Sequence, residues 1–415
     1  MKRSARRLFI ISGKNPLSRR GSGYAAYAYH LASVAHQLGY EVTIFCCDTD
    51  QAVIKTPVAT IYCLGTKLLK LPVFRSREMA AFPFLAPLLT REIAKHLDTK
   101  GVNLVWGIGP WSLAGALLKL TGKRRLVLLA HYATSLRHEF SASVRAITIR
   151  DYGLLVKLKM LLGYATIIQF SAWLEKLLLS RVDYITTHYL STENILLKDY
   201  QLDRAKFYRL PYALPFPAGI ETRTGLKLYH PHKPLILLIC RQDPRKGINF
   251  LLHALALLHE RGSKFEALIV GGGTLLKANR ELAKRLHLGN VHLPGFVAHP
   301  LPLLRQASLY VFPSVEEGNS AFSLLEAMRA GLPIVATRVD GIPEDLADHV
   351  SALLVPPSDP PALAEAIGQL LSNRKLAKQL GRQARSTFNQ KYGTVQVRKS
   401  LQILLKHALQ GGLTS

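Results

Sequence analysis

Two cations stand close together after an apolar, strand-like segment in the second half of the chain. Arg241 and Lys246 lie in the run Arg241-Gln-Asp-Pro-Arg-Lys246-Gly247, which follows the apolar residues 235–240 and precedes a helical pattern over 248–258. In an open parallel sheet, ligands sit beyond the carboxyl ends of the strands, and helix N-terminal amides attract anions. The pattern therefore predicts a diphosphate site in which both cations neutralise a leaving group. A solvated basic loop is the alternative.

A loop of small and acidic residues follows another apolar segment. It contains the neighbours Glu316 and Glu317 and leads into a helix that carries Glu326 and closes at Gly331. Carboxylates are hydrogen-bond acceptors suited to vicinal hydroxyls. A solvated loop charge at Glu317 and an exposed helix glutamate at Glu326 are the alternatives. The triplet Gly271-Gly272-Gly273 ends an earlier strand-like run, and its amides could face an anion or simply form a tight turn.

Short apolar runs alternate with amphipathic stretches along the whole chain. This alternation predicts βα units and parallel sheets, and 415 residues exceed the usual span of one hydrophobic core. We therefore expect two α/β domains, with the break in the Pro- and Gly-rich stretch 211–234. The predicted strands cover residues 8–12, 42–46, 104–107, 126–130, 235–240, 267–270, 308–312 and 334–337, and a last helix covers 395–409.

Taken in order, these motifs resemble those of the retaining glycosyltransferases of family 4. The resemblance runs from the loop Arg20-Gly21-Ser22-Gly23, through Arg241, Lys246 and the glutamates, to Asp340-Gly341-Ile-Pro343-Glu344 and Leu353-Leu-Val-Pro-Pro. It implies the GT-B fold, in which two Rossmann-like β/α/β domains face each other across a cleft. On this basis residues 1–212 form an acceptor-side domain, 213–233 a linker, 234–388 a nucleotide-sugar-binding domain, and 389–415 a helix that packs back on the first domain.

The resemblance also implies roles for single residues. Arg241 and Lys246 would hold the donor diphosphate, Glu317 would face the donor sugar, and Glu326 would bind the ribose hydroxyls. His131, after a predicted strand, would reach the donor sugar or the acceptor. The remaining donor-binding positions are Gly21, Gly23, Gly272, Val297, Asn319, Ser320, Ala321 and Phe322. His188 follows another strand-like run and is a weaker candidate for the same cleft.

One spacing departs from the family pattern. Eight residues separate Glu317 from Glu326, one more than the family usually has, and Glu316 is a second candidate for the first glutamate. A one-residue bulge in the loop would restore the geometry. The sequence therefore leaves open which of the two neighbouring glutamates faces the donor sugar.

The charge of the chain is strongly positive. Its 54 Lys and Arg residues against 27 Asp and Glu give a net charge of +27, which favours anionic partners. The first half is the more basic, and the segments 66–75 and 152–162 mix apolar residues with cations, as surfaces lying in a membrane interface do. We expect peripheral contact with an anionic membrane and, because no aromatic-rich basic motif is present, no nucleic-acid partner. Buried helices with solvated lysines are the alternative.

The sequence contains no motif for a cofactor and no signal peptide. Four cysteines without metal or redox spacing fit a reducing compartment, and the apolar run at Leu8–Ile11 is too short for a signal peptide. The triplet Asp48-Thr49-Asp50 is interpreted as a turn and helix cap. We therefore expect no metal and no other cofactor, and a cytoplasmic location that extends to the inner membrane face.

These observations predict a retaining glycosyltransferase. It would move a sugar from a nucleoside diphosphate sugar to an acceptor such as a lipid-linked or membrane-surface glycan, with retention of configuration implied by the resemblance alone. Two alternatives stay open: a sugar nucleotide epimerase or phosphorylase of the same fold, and a non-catalytic protein that binds nucleotide sugars or membranes.

Overall fold

The chain divides into two compact units. The computed structural model describes residues 6–18, 23–66, 82–99, 101–122, 125–163, 169–212, 233–297, 300–317 and 322–414. One unit comprises Met1–Ser135, Ser171–Pro215 and Tyr392–Ser415, and the other comprises Leu136–Phe170 and Phe216–Lys391. Each unit holds its own sheet, so the predicted architecture of two α/β domains is confirmed. The predicted linker 213–233, apart from Lys233, lies outside the described residues.

Eight strands form the sheet of the first unit. They are β1 (Arg6–Lys14), β2 (Tyr40–Asp48), β3 (Ala52–Lys55), β4 (Thr60–Gly65), β5 (Asn103–Ile108), β6 (Leu126–His131), β7 (Tyr184–Thr187) and β8 (Phe207–Arg209). Their order is β3-β4-β2-β1-β5-β6-β7-β8, and only the pairing of β3 with β4 is antiparallel. β5 is buried along its whole length, as expected of a central parallel strand covered on both faces.

Six parallel strands form the sheet of the second unit. They are β9 (Leu235–Ile239), β10 (Glu266–Val270), β11 (Val291–Gly295), β12 (Leu309–Phe312), β13 (Ile334–Thr337) and β14 (Leu353–Val355). Their order is β11-β10-β9-β12-β13-β14. From β9 the chain adds strands on one side, and it then returns with β12 to build the other side. The switch point between β9 and β12 leaves a crevice at their carboxyl ends, where open α/β sheets bind ligands.

Helices connect the strands in both units. They are α1 (Gly23–Gln37), α2 (Phe82–Ala94), α3 (Ser112–Leu120), α4 (Leu136–Ala146), α5 (Ile149–Tyr152), α6 (Leu154–Gly163), α7 (Gln169–Ser180), α8 (Leu190–Tyr200), α9 (Ile248–Glu260), α10 (Leu276–Arg285), α11 (Leu301–Leu304), α12 (Phe322–Ala330), α13 (Ile342–Asp345), α14 (Pro360–Ser372), α15 (Arg374–Tyr392) and α16 (Thr394–Thr414). The C-terminal helix α16 belongs to the first unit, where it packs against α1 and β6. It is longer than the predicted helix over 395–409.

The helices α4–α6 belong to the second unit, although the sequence-based boundary places residues 1–212 in the first domain. Asp151 at the end of α5 explains the attachment. Its carboxylate accepts a hydrogen bond from Asn249 Nδ2 at 3.0 Å and lies 2.9 Å from His253 Nε2, both on α9. Arg285 Nη2 donates to the Asp151 carbonyl at 2.8 Å. Alternation of strands and helices in a sequence does not reveal which sheet a helical segment joins, so the boundary differs here.

The acidic triplet after β2 does not cap a helix. Thr49 donates its amide to Asp48 Oδ1 at 2.7 Å, and the chain bends directly into β3. The expected helix cap at Asp48-Thr49-Asp50 is therefore wrong, because an antiparallel strand follows where a helix was predicted.

We predict that Asp151→Ala lowers the free energy of unfolding by about 2–3 kcal/mol, because buried polar partners on α9 lose a charged acceptor. Burial raises the pKa of Asp151, but hydrogen bonds from His253, Asn249 and Thr148 outweigh it and lower the pKa to about 2. The Asp151 carboxylate therefore contributes fully to the free energy of unfolding above about pH 3.9, the pKa of an unfolded-state aspartate. This contribution is lost as the pH falls towards 2. Urea denaturation at several pH values measures it. Glu281→Ala, at an exposed site in the same unit, is the control, and equal losses for both variants would contradict the prediction.

Candidate active site

Two loops meet at the switch point of the second sheet. We call residues 241–247, which follow β9, the first loop, and residues 313–317, which follow β12, the second loop. The amide of Val315 donates to the Arg245 carbonyl at 2.7 Å. Gly247 has φ of 62°, and a Cβ at this position would lie 2.0 Å from the Pro313 carbonyl oxygen. Only glycine permits this approach, so the two loops are joined where the fold leaves its crevice.

A buried ion pair links the two loops. Lys246 Nζ contacts Glu317 Oε2, and Ser314 Oγ donates to the same oxygen at 3.1 Å. Lys246 is 9% exposed and Glu317 is fully buried. Burial raises the pKa of Glu317, although the charges of Lys246 and Arg245 lower it. The second carboxylate oxygen, Oε1, is buried and has no hydrogen-bond partner among the described residues. The site thus holds a cation out of water beside an unused acceptor.

Arg245 forms a second buried cluster of charges. Its Nη1 lies 3.0 Å from Glu316 Oε2, and its Nε lies 3.3 Å from Glu139 Oε1 on α4. Glu316 is fully buried. Each neighbouring glutamate therefore has its own cation, and Glu317 is the one beside Lys246. The sequence shows Arg245 in the basic run but does not indicate its role, because only the fold brings Glu139 and Glu316 to it.

Asp340 fixes the backbone of the second loop. Its Oδ2 accepts a hydrogen bond from the Glu317 amide at 2.8 Å, and its Oδ1 lies 3.1 Å from His138 Nε2 on α4. Asp340 has φ of 40°, in the left-handed region that aspartate tolerates better than most residues. Burial lowers the pKa of His138, but the hydrogen bond to Asp340 and the charges of Asp340 and Glu316 outweigh it, so the pKa is raised. The motif at 340–344 was noted from the sequence, whereas this contact was not.

His138, Glu316 and Asp340 also offer ligand atoms within 4.8 Å of one another. An imidazole nitrogen with two carboxylate oxygens suits several transition metals. Here Arg245 pairs with Glu316, and Asp340 is shared by His138 and the Glu317 amide, so protein groups already balance these charges. The expectation of a metal-free site stays a prediction.

Arg241 lies at the entrance to the first loop. Its side chain is 65% exposed, and its Nε donates to Asp243 Oδ2 at 2.7 Å. The next residue, Gln242, is fully buried and donates its amide to the Gly272 carbonyl at 2.9 Å. The glycine triplet thus packs against the first loop, and Arg241 keeps an accessible guanidinium. The donor role of Gly272 stays a prediction.

The predicted donor residues on and before α12 are only partly described. Phe322 is the first residue of α12, and Glu326 lies one turn later and is half-buried. Burial raises the pKa of Glu326 to about 7. Val297, also half-buried, follows β11. The predicted positions Gly21, Asn319, Ser320 and Ala321 lie outside the described residues, and Gly23 begins α1.

In the first unit, His131 belongs to a cluster of aromatic rings at the carboxyl end of β6. Its ring centroid lies 4.4 Å from that of Tyr27 and 4.5 Å from that of His188, and its Nδ1 lies 3.2 Å from Thr186 Oγ1. Burial lowers the pKa of His131 to about 3 and that of His188 well below its usual value. Both rings are therefore neutral near pH 7, so they can exchange hydrogen bonds with a ligand but supply no positive charge.

We predict that Lys246→Met lowers the free energy of unfolding by about 3 kcal/mol, because it leaves the Glu317 carboxylate buried without its cation. Adding Glu317→Gln is expected to restore most of the loss. Urea denaturation of both single variants and the double variant gives the coupling energy of the pair. Strictly additive losses would contradict a direct interaction.

We predict that His138→Gln destabilises the protein more at pH 6 than at pH 9. The folded state raises the pKa of His138, so its stabilising contribution is complete below about pH 6.5, the pKa of a free imidazole, and is lost as the pH rises through the folded-state value. Thermal denaturation at both pH values measures the difference. His259→Gln on α9 is the control, and a loss for His138→Gln that does not change with pH would refute the prediction.

Both halves of the chain match known protein families. Residues 233–373 match the family described as "Glycosyl transferases group 1", and residues 21–213 match "Glycosyltransferase Family 4". A GDP-mannose-dependent alpha-(1-6)-phosphatidylinositol monomannoside mannosyltransferase of Mycolicibacterium smegmatis is 30% identical over 158 residues, 36% of this chain and 41% of that protein. A phosphatidyl-myo-inositol mannosyltransferase of Mycobacterium leprae is 35% identical over 143 residues, 33% and 37% of the two chains. The chain thus spans about two fifths of the length of these relatives.

Solved structures match over almost the whole chain. Sucrose-phosphate synthase of Thermosynechococcus elongatus has a TM-score of 0.78 at 20% identity, covering 98% of this chain and 100% of that one. HepE of Anabaena, in complex with UDP and glucose, has a TM-score of 0.68 at 14% identity, covering 97% and 100%. At these identities the likeness shows the fold. The solved structures show the GT-B fold, and the family matches in the two halves show that the chain belongs to the family 4 glycosyltransferases.

Proposed function

We propose that the protein transfers a sugar from a nucleoside diphosphate sugar to an acceptor and retains the anomeric configuration. The observation that carries the proposal is the buried Lys246–Glu317 pair at the switch point of the second sheet. A cation held out of water interacts with a developing negative charge far more strongly than one in solvent. A departing diphosphate is the group in this reaction that needs such a cation.

Different residues of the site bind different parts of the donor. Lys246 and Arg241 neutralise the diphosphate, and Arg241 exchanges its contact with Asp243 for one with a phosphate. Glu317 Oε1, which has no hydrogen-bond partner among the described residues, accepts a hydrogen bond from a hydroxyl of the donor sugar. Glu326 accepts hydrogen bonds from the ribose.

Retention requires that the new bond form on the face from which the diphosphate leaves. The bond between the anomeric carbon and the phosphate oxygen breaks, and the acceptor oxygen bonds to the same carbon. The acceptor proton passes to the departing diphosphate oxygen. No protein nucleophile takes part, so electrostatic stabilisation by Lys246 and Arg241 carries the catalysis, and we propose that no metal is needed.

The acceptor we propose is a lipid-linked or membrane-surface glycan. The net charge of +27 favours an anionic surface, and two relatives are named for phosphatidylinositol-based acceptors. The corresponding location is the cytoplasmic face of the membrane, with peripheral contact. Guanine and uracil are the candidate donor bases, since one relative is GDP-mannose-dependent and a structural neighbour was solved with UDP.

We predict that one nucleotide among UDP, GDP and ADP, together with its sugar conjugates, raises the melting temperature of the protein. A ligand at a hundred times its dissociation constant stabilises the folded state by about 2.7 kcal/mol. Arg241→Ala is expected to abolish the shift. Lys264→Ala, an exposed cation that precedes β10 at the opposite end of the sheet, is the control and keeps it. No response of the wild-type protein to any nucleotide would favour a non-catalytic binding protein.

A further inference from the structure

The helices α4–α6 sort their charges by side. Their two acidic residues are turned towards the rest of the second unit, where Glu139 pairs with Arg245 and Asp151 contacts His253 and Asn249. The exposed charged side chains over residues 136–162, all of which the structure describes, are cationic: Arg137, Arg145, Arg150 and Lys159. Every exposed charged residue of this segment is therefore positive.

The same surface is strongly apolar. Five leucines of α6 are exposed by 42% to 74%: Leu154, Leu155, Leu158, Leu161 and Leu162. Leu155, Leu158 and Leu162 have the spacing of one helix face. Lys157 points the other way, since its Nζ donates to the Ile147 carbonyl at 2.8 Å. A contiguous exposed apolar patch of this kind on a folded protein marks a surface that contacts another protein or a membrane.

We propose that the exposed leucines of α6, with Arg150 and Lys159, dock on the surface of an anionic lipid bilayer. The charge pattern selects this partner, because cations beside leucines fit anionic headgroups above an acyl layer. The ten residues of α6 span about 15 Å, half of a hydrocarbon core of about 30 Å, so the helix lies along the surface. No helix within the described ranges is long and apolar enough to cross a membrane. The inference rests on the proposed function, for which the contact would bring the enzyme to a lipid-linked acceptor.

Vesicle flotation tests the proposal with the full chain and vesicles of equal parts phosphatidylglycerol and phosphatidylcholine at low salt. The wild-type protein is expected to float, and less so with phosphatidylcholine alone. Leu155→Glu combined with Leu162→Glu is expected to lower the partition coefficient at least tenfold. Arg150→Glu with Lys159→Glu, which keeps the leucines, is expected to lose the salt-sensitive part of binding. Val395→Glu, at an 82% exposed apolar site on α16, is the matched control and floats like the wild type.

Two outcomes overturn the proposal: a wild-type protein that does not float with anionic vesicles, and a double leucine variant that floats as well as the wild type. Binding to heparin without binding to vesicles belongs to the first outcome and indicates a general polyanion site. Nucleotide-induced thermal stabilisation, measured on the same variants, separates this proposal from the proposed function. The leucine variants are expected to keep the nucleotide-induced stabilisation. If the wild-type protein shows no such stabilisation, the proposed transferase activity is contradicted, but the flotation result still tests membrane docking.

Discussion

Burial of a lysine beside a glutamate is the constraint on which the candidate site depends. Lys246 and Glu317 come from loops after different strands, and their charges are removed from water only because those loops meet. The two loops can approach each other only with glycine at position 247, because a Cβ there would clash with the Pro313 carbonyl. It also needs the Glu317 amide to be held, which Asp340 does. A separated pair would leave a bare buried charge, so the loop geometry and the ion pair require each other.

The same network fixes α4 to the first loop and to Asp340, which in turn holds the second loop. Glu139 reaches Arg245 and His138 reaches Asp340, and one turn of α4 thereby touches both sides of the crevice. Asp151 repeats the attachment at α5, where α9 supplies the partners. Because the acidic groups of this segment are used for attachment, its exposed residues are cations, leucines and Ile149. The donor site and the proposed membrane-docking face therefore belong to one unit and arise from one arrangement of charges.

Much of the fold could be predicted from alternation alone. All eight predicted strands are present within two residues of their expected ends, because buried central strands are continuous apolar runs. Six strands are not among those predicted: β3, β4, β7, β8, β11 and β14. Four of these, β3, β8, β11 and β14, are short edge strands. Arg241, Lys246 and Glu317 were predicted as site residues, but the contact between Lys246 and Glu317 depends on strand order. The roles of Arg245, His138 and Asp340 depend in addition on the side to which α4 packs, which no local pattern records.

We infer that the buried Lys246–Glu317 pair binds the diphosphate of the donor. Isothermal titration of the identified nucleoside diphosphate against Lys246→Met combined with Glu317→Gln tests this role, because this replacement removes both charges without leaving one unpaired. We expect the double variant to fold and to bind the nucleotide at least about a hundredfold more weakly, a loss of about 2.8 kcal/mol in binding free energy. An unchanged affinity in a folded double variant would show that the pair serves the fold alone.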